Sequence, residues 1–201
     1  MKTKHLCVAF ILSLLAFQAC TTDDVSFTED SGPDDKSNLY TIKDNAFGEY
    51  LKYLKVTGVY SQTTTEDGNA VTSYVIDTVE SKEFTGDINL SKTEASITKL
   101  QKAGLTTAAD KIQDVDGIQF LTGLNSLALT SNNITSLDIS KLVNLTELKM
   151  NFNKVGSLDL THNTKLVTFN YRGSGEAAEG QKLTSIDLSK NTELTSLDLR
   201  V

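Results

Sequence analysis

Leu124-Asn125-Ser126-Leu127-Ala128-Leu129-Thr130-Ser131-Asn132-Asn133-Ile134 is answered 21 residues later by Leu145-Thr146-Glu147-Leu148-Lys149-Met150-Asn151-Phe152-Asn153-Lys154-Val155. Both strings carry apolar residues at their first, fourth, sixth and last positions and an asparagine two residues before the last. The match continues through Leu137 and Ile139 against Leu158 and Leu160. A third copy opens with Leu166, Phe169 and Tyr171 at the same offset, and a fourth with Leu194, Leu197 and Leu199 after an interval of 28 residues. In each copy the fourth and sixth positions alternate with polar or small residues, which is the period of a strand. A unit this short cannot bury its apolar side alone, so successive copies must stack and their strands form a parallel ladder. Such a stack offers a surface more readily than a catalytic cleft.

The opening L-x-x-L-x-L of each copy resembles the leucine-rich repeat. Ile112-Gln113-Asp114-Val115-Asp116-Gly117-Ile118-Gln119-Phe120-Leu121 runs into the first copy and resembles the lead-in to internalin-type bacterial repeats. The linking halves Leu137-Asp138-Ile139-Ser140, Leu158-Asp159-Leu160-Thr161 and Ile186-Asp187-Leu188-Ser189 look like the short repeat proteins common in Bacteroidetes. Residues 112–201 carry the resemblance, and 39–111 carry it only weakly. It implies an α+β repeat solenoid with parallel β ladders in a surface protein, and it does not say what is bound.

Asn132 and Asn153 recur where the chain turns out of the strand. A buried amide there can pair backbone groups that a non-repetitive turn leaves open, so both are expected to be structural. Ser174 at the same register interrupts this ladder in the third copy. The pairs Leu137/Ile139, Leu158/Leu160 and Ile186/Leu188 alternate with polar residues and predict a second short strand in each copy. A seven-residue excess lies within Arg172–Lys182, where three glycines and no large apolar group predict a looped-out excursion.

At the other end, Lys2 and Lys4 precede the apolar run Leu6–Phe17, too short to span a bilayer and the right length for a secretory signal. Phe17-Gln18-Ala19-Cys20 resembles a relaxed bacterial lipobox, with Phe17 where leucine is usual. The resemblance makes residues 1–19 a lipoprotein signal peptide and Cys20 the lipidated first mature residue. Thr21-Thr22-Asp23-Asp24 then looks like the surface-export signal of Bacteroides-type lipoproteins. The implied address is the cell outer membrane, lipid-anchored and surface-exposed, with a periplasm-facing anchor or plain secretion as the alternatives. Residues 20–38 hold six acidic residues and the single proline, the composition of a disordered, self-repelling tether.

Cys7 leaves with the signal and Cys20 is spoken for, so no thiol remains for a disulfide, a metal or a nucleophile. Loss of Lys2 and Lys4 takes the formal charge from −7 to −9, because residues 1–19 hold no acid. That balance argues against nucleic acid as partner and confines membrane contact to the lipid.

Residues 39–111 read as an N-terminal cap module covering the first repeat. Asp44 caps a helix with Phe47, Tyr50, Leu51 and Leu54 on one face. Val59–Thr65 and Val71–Asp77 flank an Asp67-Gly68 turn as a hairpin. Ser91-Lys92-Thr93-Glu94 has capping-box spacing ahead of a helix that stops at Gly104. Asp87, Asn89, Ser91 and Glu94 are too few for a calcium loop, so no metal is expected.

The outward strand positions are Ser126, Ala128, Thr130, Glu147, Lys149, Asn151, Thr168, Asn170, Arg172, Ser196, Asp198 and Arg200. Aromatic and arginine side chains tend to dominate interfaces, so the candidate partner-binding set is Lys149, Asn151, Phe152, Asn170, Arg172, Asp198 and Arg200. Catalysis is not expected: His162 is the single histidine of the mature chain and reads as a turn residue, no phosphate-cradling glycine motif is present, and no cofactor is implied. The function indicated is a non-enzymatic cell-surface module binding protein or peptide partners, for adhesion or within a surface complex. The alternative is a carbohydrate-binding surface lipoprotein, which the absence of Trp disfavours. The last copy reaches Val201, two residues past Leu199, and its strand edge is a further place for self-association or docking.

Overall fold

A computed structural model describes residues 36–66, 68–175 and 182–200. Residues 1–35 fall outside that set, so the signal peptide, Cys20 and most of the acidic tether lie outside the described residues, as does most of the glycine-rich excursion.

The first unit is a three-stranded antiparallel sheet in the order β1-β3-β2, with β1 at Leu39–Ile42, β2 at Val59–Glu66 and β3 at Asn69–Asp77. β1 was not expected from the sequence; it pairs Leu39 with Asp77 through Ile42 with Tyr74, long-range partners that no local pattern announces. Helix α1, Asn45–Tyr53, packs on this sheet. Asp44 caps it by accepting the Phe47 N–H at 3.0 Å, and Ala46, Phe47, Tyr50 and Leu51 are buried. Leu54 falls at the C-cap and is exposed, because the helix ends before it can join the stripe. Gly48 sets the helix-to-sheet distance: a Cβ there would stand 2.4 Å from the Cβ of Tyr74.

The second unit is a five-stranded parallel sheet in the order β4-β5-β6-β7-β8: Thr85–Asn89, Gly123–Ala128, Glu147–Lys149, Thr168–Arg172 and Ser196–Arg200. Four strands were expected, one per repeat copy. The additional one, β4, lies inside the segment read as the cap and pairs in parallel with β5. Its Ile88, with Leu90 just beyond, is in the core, so Gly86-Asp87-Ile88-Asn89-Leu90 supplies a strand rather than only a turn. Helix α2, Glu94–Lys102, follows. Its cap is Thr93, whose hydroxyl accepts the Ser96 N–H at 3.2 Å, so the start falls two residues after the expected Ser91. Helix α3 is a single turn, Thr106–Ala109. Among the described residues no helix is long and apolar enough to cross a membrane.

One apolar cluster runs from Ile42 to Leu183 and joins the two units. Leu127, Leu148 and Phe169 lie opposite one another in register, as do Phe169 and Leu197, so the fourth position of each copy builds a file through the core. Tyr171 fits a leucine position because its hydroxyl donates to the Val155 carbonyl at 2.9 Å, which spares a buried polar group. At β8 the file reaches the surface: Leu197 and Leu199 are 49% and 38% exposed.

Two asparagine ladders hold the turns. Asn132 Nδ2 donates to Leu90 and Leu129 carbonyls while its Oδ1 accepts the Ile112 N–H; Asn153 repeats this with Leu129, Met150 and Ile134. On the far side of each copy, Asn163 donates to the carbonyls of Ile139 and Leu142, and Asn191 to those of Leu160 and Asn163. This second ladder was missed, although Asn163-Thr164-Lys165-Leu166 and Asn191-Thr192-Glu193-Leu194 share a spelling. It also explains why the expected second strands are absent among the described residues. Asp138, Asp159 and Asp187 accept the N–H groups of Ser140, Thr161 and Ser189, so turns and side-chain amides take up backbone groups that a strand ladder would have used.

Candidate functional site

The outward side of the parallel sheet presents registered rows. Asp87, Ser126, Glu147, Thr168 and Ser196 form one, and Asn89, Ala128, Lys149, Asn170 and Asp198 the next. Arg172 stands opposite Arg200 in a third row, which Asn151 joins one strand earlier through the Phe152 N–H to Arg172 carbonyl bond of 2.7 Å. Adjacent strands are about 4.8 Å apart, so neighbouring side chains in a row interact directly.

The charges on this face pair with one another. Glu147 meets Lys149 at 2.6 Å and accepts the Ser126 hydroxyl at 2.8 Å; the Lys149 contact, then Ser126, holds its carboxyl below the usual range. Asp198 accepts Arg172 Nε and Nη2 on one oxygen, at 2.9 and 2.5 Å, and Arg200 Nε on the other at 3.2 Å. The Arg172 guanidinium is the main reason its carboxyl is also held low. One carboxylate therefore orients two guanidinium forks.

Of the seven candidate partner-binding residues, Phe152, Arg172, Asp198 and Arg200 come together at the β7–β8 end. Lys149 and Asn170 sit one row away, and Asn151 is half-buried with its Oδ1 unbonded among the described residues. Phe152 does not pack into the turn; it is 48% exposed, with a backbone φ of 58°. A cleft of about 430 Å³ is lined by Phe152, Arg172, Lys182, Leu183, Arg200 and the Gly173-Ser174-Gly175 backbone. Lys182 and Leu183 were not expected here. They are the residues at which the chain returns from the excursion, and that position was the one available hint. His162 lies in its turn, with Nδ1 3.3 Å from the Thr161 hydroxyl and away from this face.

Two other hollows lie on the first unit. One, of about 400 Å³, is bordered by Lys43, Asp44, Thr107, Asp110 and Gln113, and a smaller one by Lys43, Asp114, Asp116 and Gln119. Their polar groups are committed to structure: Asp44 Oδ2 accepts the Gln113 and Asp114 N–H groups, and Asp116 takes Lys43 at 2.8 Å, Tyr40 and Gln119.

No family model matches the chain, and no curated protein matches it. Among solved structures it is similar to the functional domain of InlJ from Listeria monocytogenes, which includes a cysteine ladder. The identity is 26%, covering 77% of this chain and 30% of that one, with a TM-score of 0.42. The present chain thus spans less than a third of the length of that protein.

Proposed function

We propose that this chain is a leucine-rich repeat solenoid serving as a non-enzymatic, cell-surface binding module for protein or peptide partners. The observation that carries this reading is the registered outward face of the parallel sheet. Its side chains can vary without disturbing the buried file, and they gather exposed arginine and aromatic groups at one end. The carboxylates on this face, Glu147 and Asp198, are held ionised by their cation partners, the opposite of the raised value that suits a general acid near neutral pH. The lipobox-like stretch at Cys20 supports lipid anchoring at the outer membrane of a Bacteroidetes-type cell.

The face is tested by random-peptide display on the full chain, with the face variant Lys149→Glu/Asn170→Arg/Arg172→Gln/Arg200→Gln as counter-selection. Peptides that bind the native chain and not the variant are expected. Selection without face-dependent clones overturns the reading, as does a glycan array giving saturable, face-dependent binding in its place. The anchor is tested separately by fractionating Cys20→Ala, which should leave the membrane fraction; retention there removes the anchor.

A further inference from the structure

The geometry points to the β7–β8 cleft as the binding site for an acidic peptide segment in which an apolar side chain is flanked by carboxylates. This rests on the partner-binding reading above and names the chemistry of its ligand.

Three observations carry it. The first is Phe152. The same turn in the preceding copy holds Ser131, a small polar residue, at a φ of 63°. A bulky aromatic in the left-handed region is a backbone outlier, and Phe152 is not repaid by burial, being 48% exposed. Outliers of this kind cluster where an outside contact is made. Its ring is the exposed apolar group of the cleft, since Leu183, which also borders it, is buried in the core.

The second is the distribution of cations. Arg172, Lys182 and Arg200 border one cleft in a chain of net charge −7. Asp198 engages Nε and Nη2 of Arg172 and Nε of Arg200. Among the described residues, Arg172 Nη1, both terminal nitrogens of Arg200 and the Lys182 ammonium are left without a partner. Forks held in place by one carboxylate and open on their far side are arranged for a second carboxylate.

The third is how far the positive region extends. One strand back, Lys149 is balanced by Glu147, and Asp87 lies at the other end of that row. A long uniform polyanion such as a nucleic acid would run from the cations onto these acids. A short peptide with local acidic groups would not, and its apolar side chain would have the Phe152 ring to meet.

The test is fluorescence anisotropy on the full chain with labelled Glu-Asp-Phe-Glu-Asp, the neutral Gln-Asn-Phe-Gln-Asn and an eight-residue oligo-dT. Saturable binding of the acidic peptide is expected, weakened at least tenfold by Arg172→Gln/Arg200→Gln. Phe152→Ser, which installs the residue of the preceding copy, should weaken it about fivefold with an unchanged melting curve. Lys190→Gln, in a turn remote from the cleft, should leave it unaltered. Equal affinity for the neutral peptide, equal affinity for oligo-dT, or indifference to the arginine pair overturns the inference. If display selection returns face-dependent peptides without acidic residues, this inference falls and the binding-module reading stands. If it returns no face-dependent peptides, both fall.

Discussion

Asn153→Ala tests the architecture most directly, because Asn153 is wholly buried and each of its bonds goes to backbone. Nδ2 donates to the Leu129 and Met150 carbonyls at 2.9 and 3.1 Å, and Oδ1 accepts the Ile134 N–H at 3.1 Å. Alanine leaves the Met150 carbonyl and the Ile134 N–H unpaired and the Leu129 carbonyl with Asn132 alone, at points on two successive copies where water does not reach. An unpaired buried group costs about 1–3 kcal/mol. Carbonyls tolerate the loss of one partner better than an N–H does, so the summed effect should be about 2–4 kcal/mol. That is a large share of the roughly 5–15 kcal/mol that holds a typical domain together. Two controls bracket the reasoning. Asn163 also bonds two carbonyls, both at 2.9 Å, but its Oδ1 is buried without a partner among the described residues. Asn163→Ala removes that orphan along with the two bonds, so its cost should be smaller, about 1–3 kcal/mol. Asn144 is half-buried and donates to the Thr122 carbonyl at 3.2 Å; water can replace it, and Asn144→Ala should cost less than about 1 kcal/mol. Urea unfolding followed by far-ultraviolet circular dichroism, with the m-value checked for constancy, gives all three numbers. The order Asn153 > Asn163 > Asn144 is expected. An Asn153→Ala loss no larger than that of Asn144→Ala would refute the account.

Lys92 is 4% exposed, donates to the Ala108 carbonyl and lies 4.3 Å from the centroid of the Tyr50 ring. Burial pushes its ammonium down to about 8, so the unfolded chain binds more protons between pH 8 and the ordinary lysine value. Thermal stability should therefore rise from pH 8 to 10, before Tyr60 and Tyr74, pushed up to about 12 chiefly by burial, begin to oppose it; a Lys92→Met variant that keeps the full rise removes this cause. Asp116 is held at about 2 by Lys43, then Tyr40, with Gln119 also bonding it. Its contribution is intact above the ordinary aspartate value and is lost as pH falls toward 2, so Asp116→Asn should show a shallower fall in melting temperature between pH 4 and 2; curves of equal slope would contradict this. Gly48→Ala places a methyl 2.4 Å from Tyr74 Cβ and should destabilise by about 1–3 kcal/mol. Calorimetry showing no loss would mean that α1 shifts freely over its sheet.

Where the file of apolar side chains runs, and that Asn132 and Asn153 close the turns out of their strands, is legible from sequence alone; the roles of Asn163 and Asn191 were not read there. The file and those two turns rest on a period, and a period is legible without knowing what touches what. Leu127, Leu148 and Phe169 could be aligned on paper because each copy repeats the same local spelling. The acidic tether and the lipobox-like stretch are likewise compositional, and they lie outside the described residues. Features that depend on partners distant in the chain emerge only from the packing. β4 has no copy 21 residues away and becomes a strand only because β5 offers it an edge. β1 forms across a separation of more than thirty residues for the same reason. Four of the seven candidate binding residues share one end of the sheet, a gathering that the sequence reading did not state. That one carboxylate would orient both arginines, that Phe152 would stand out of its turn, and that Lys182 and Leu183 would close the cleft depended on the register between copies and on where the excursion rejoins the stack. Those are properties of packing, set by side-chain volume and strand pairing across the whole repeat array, and no single repeat contains them.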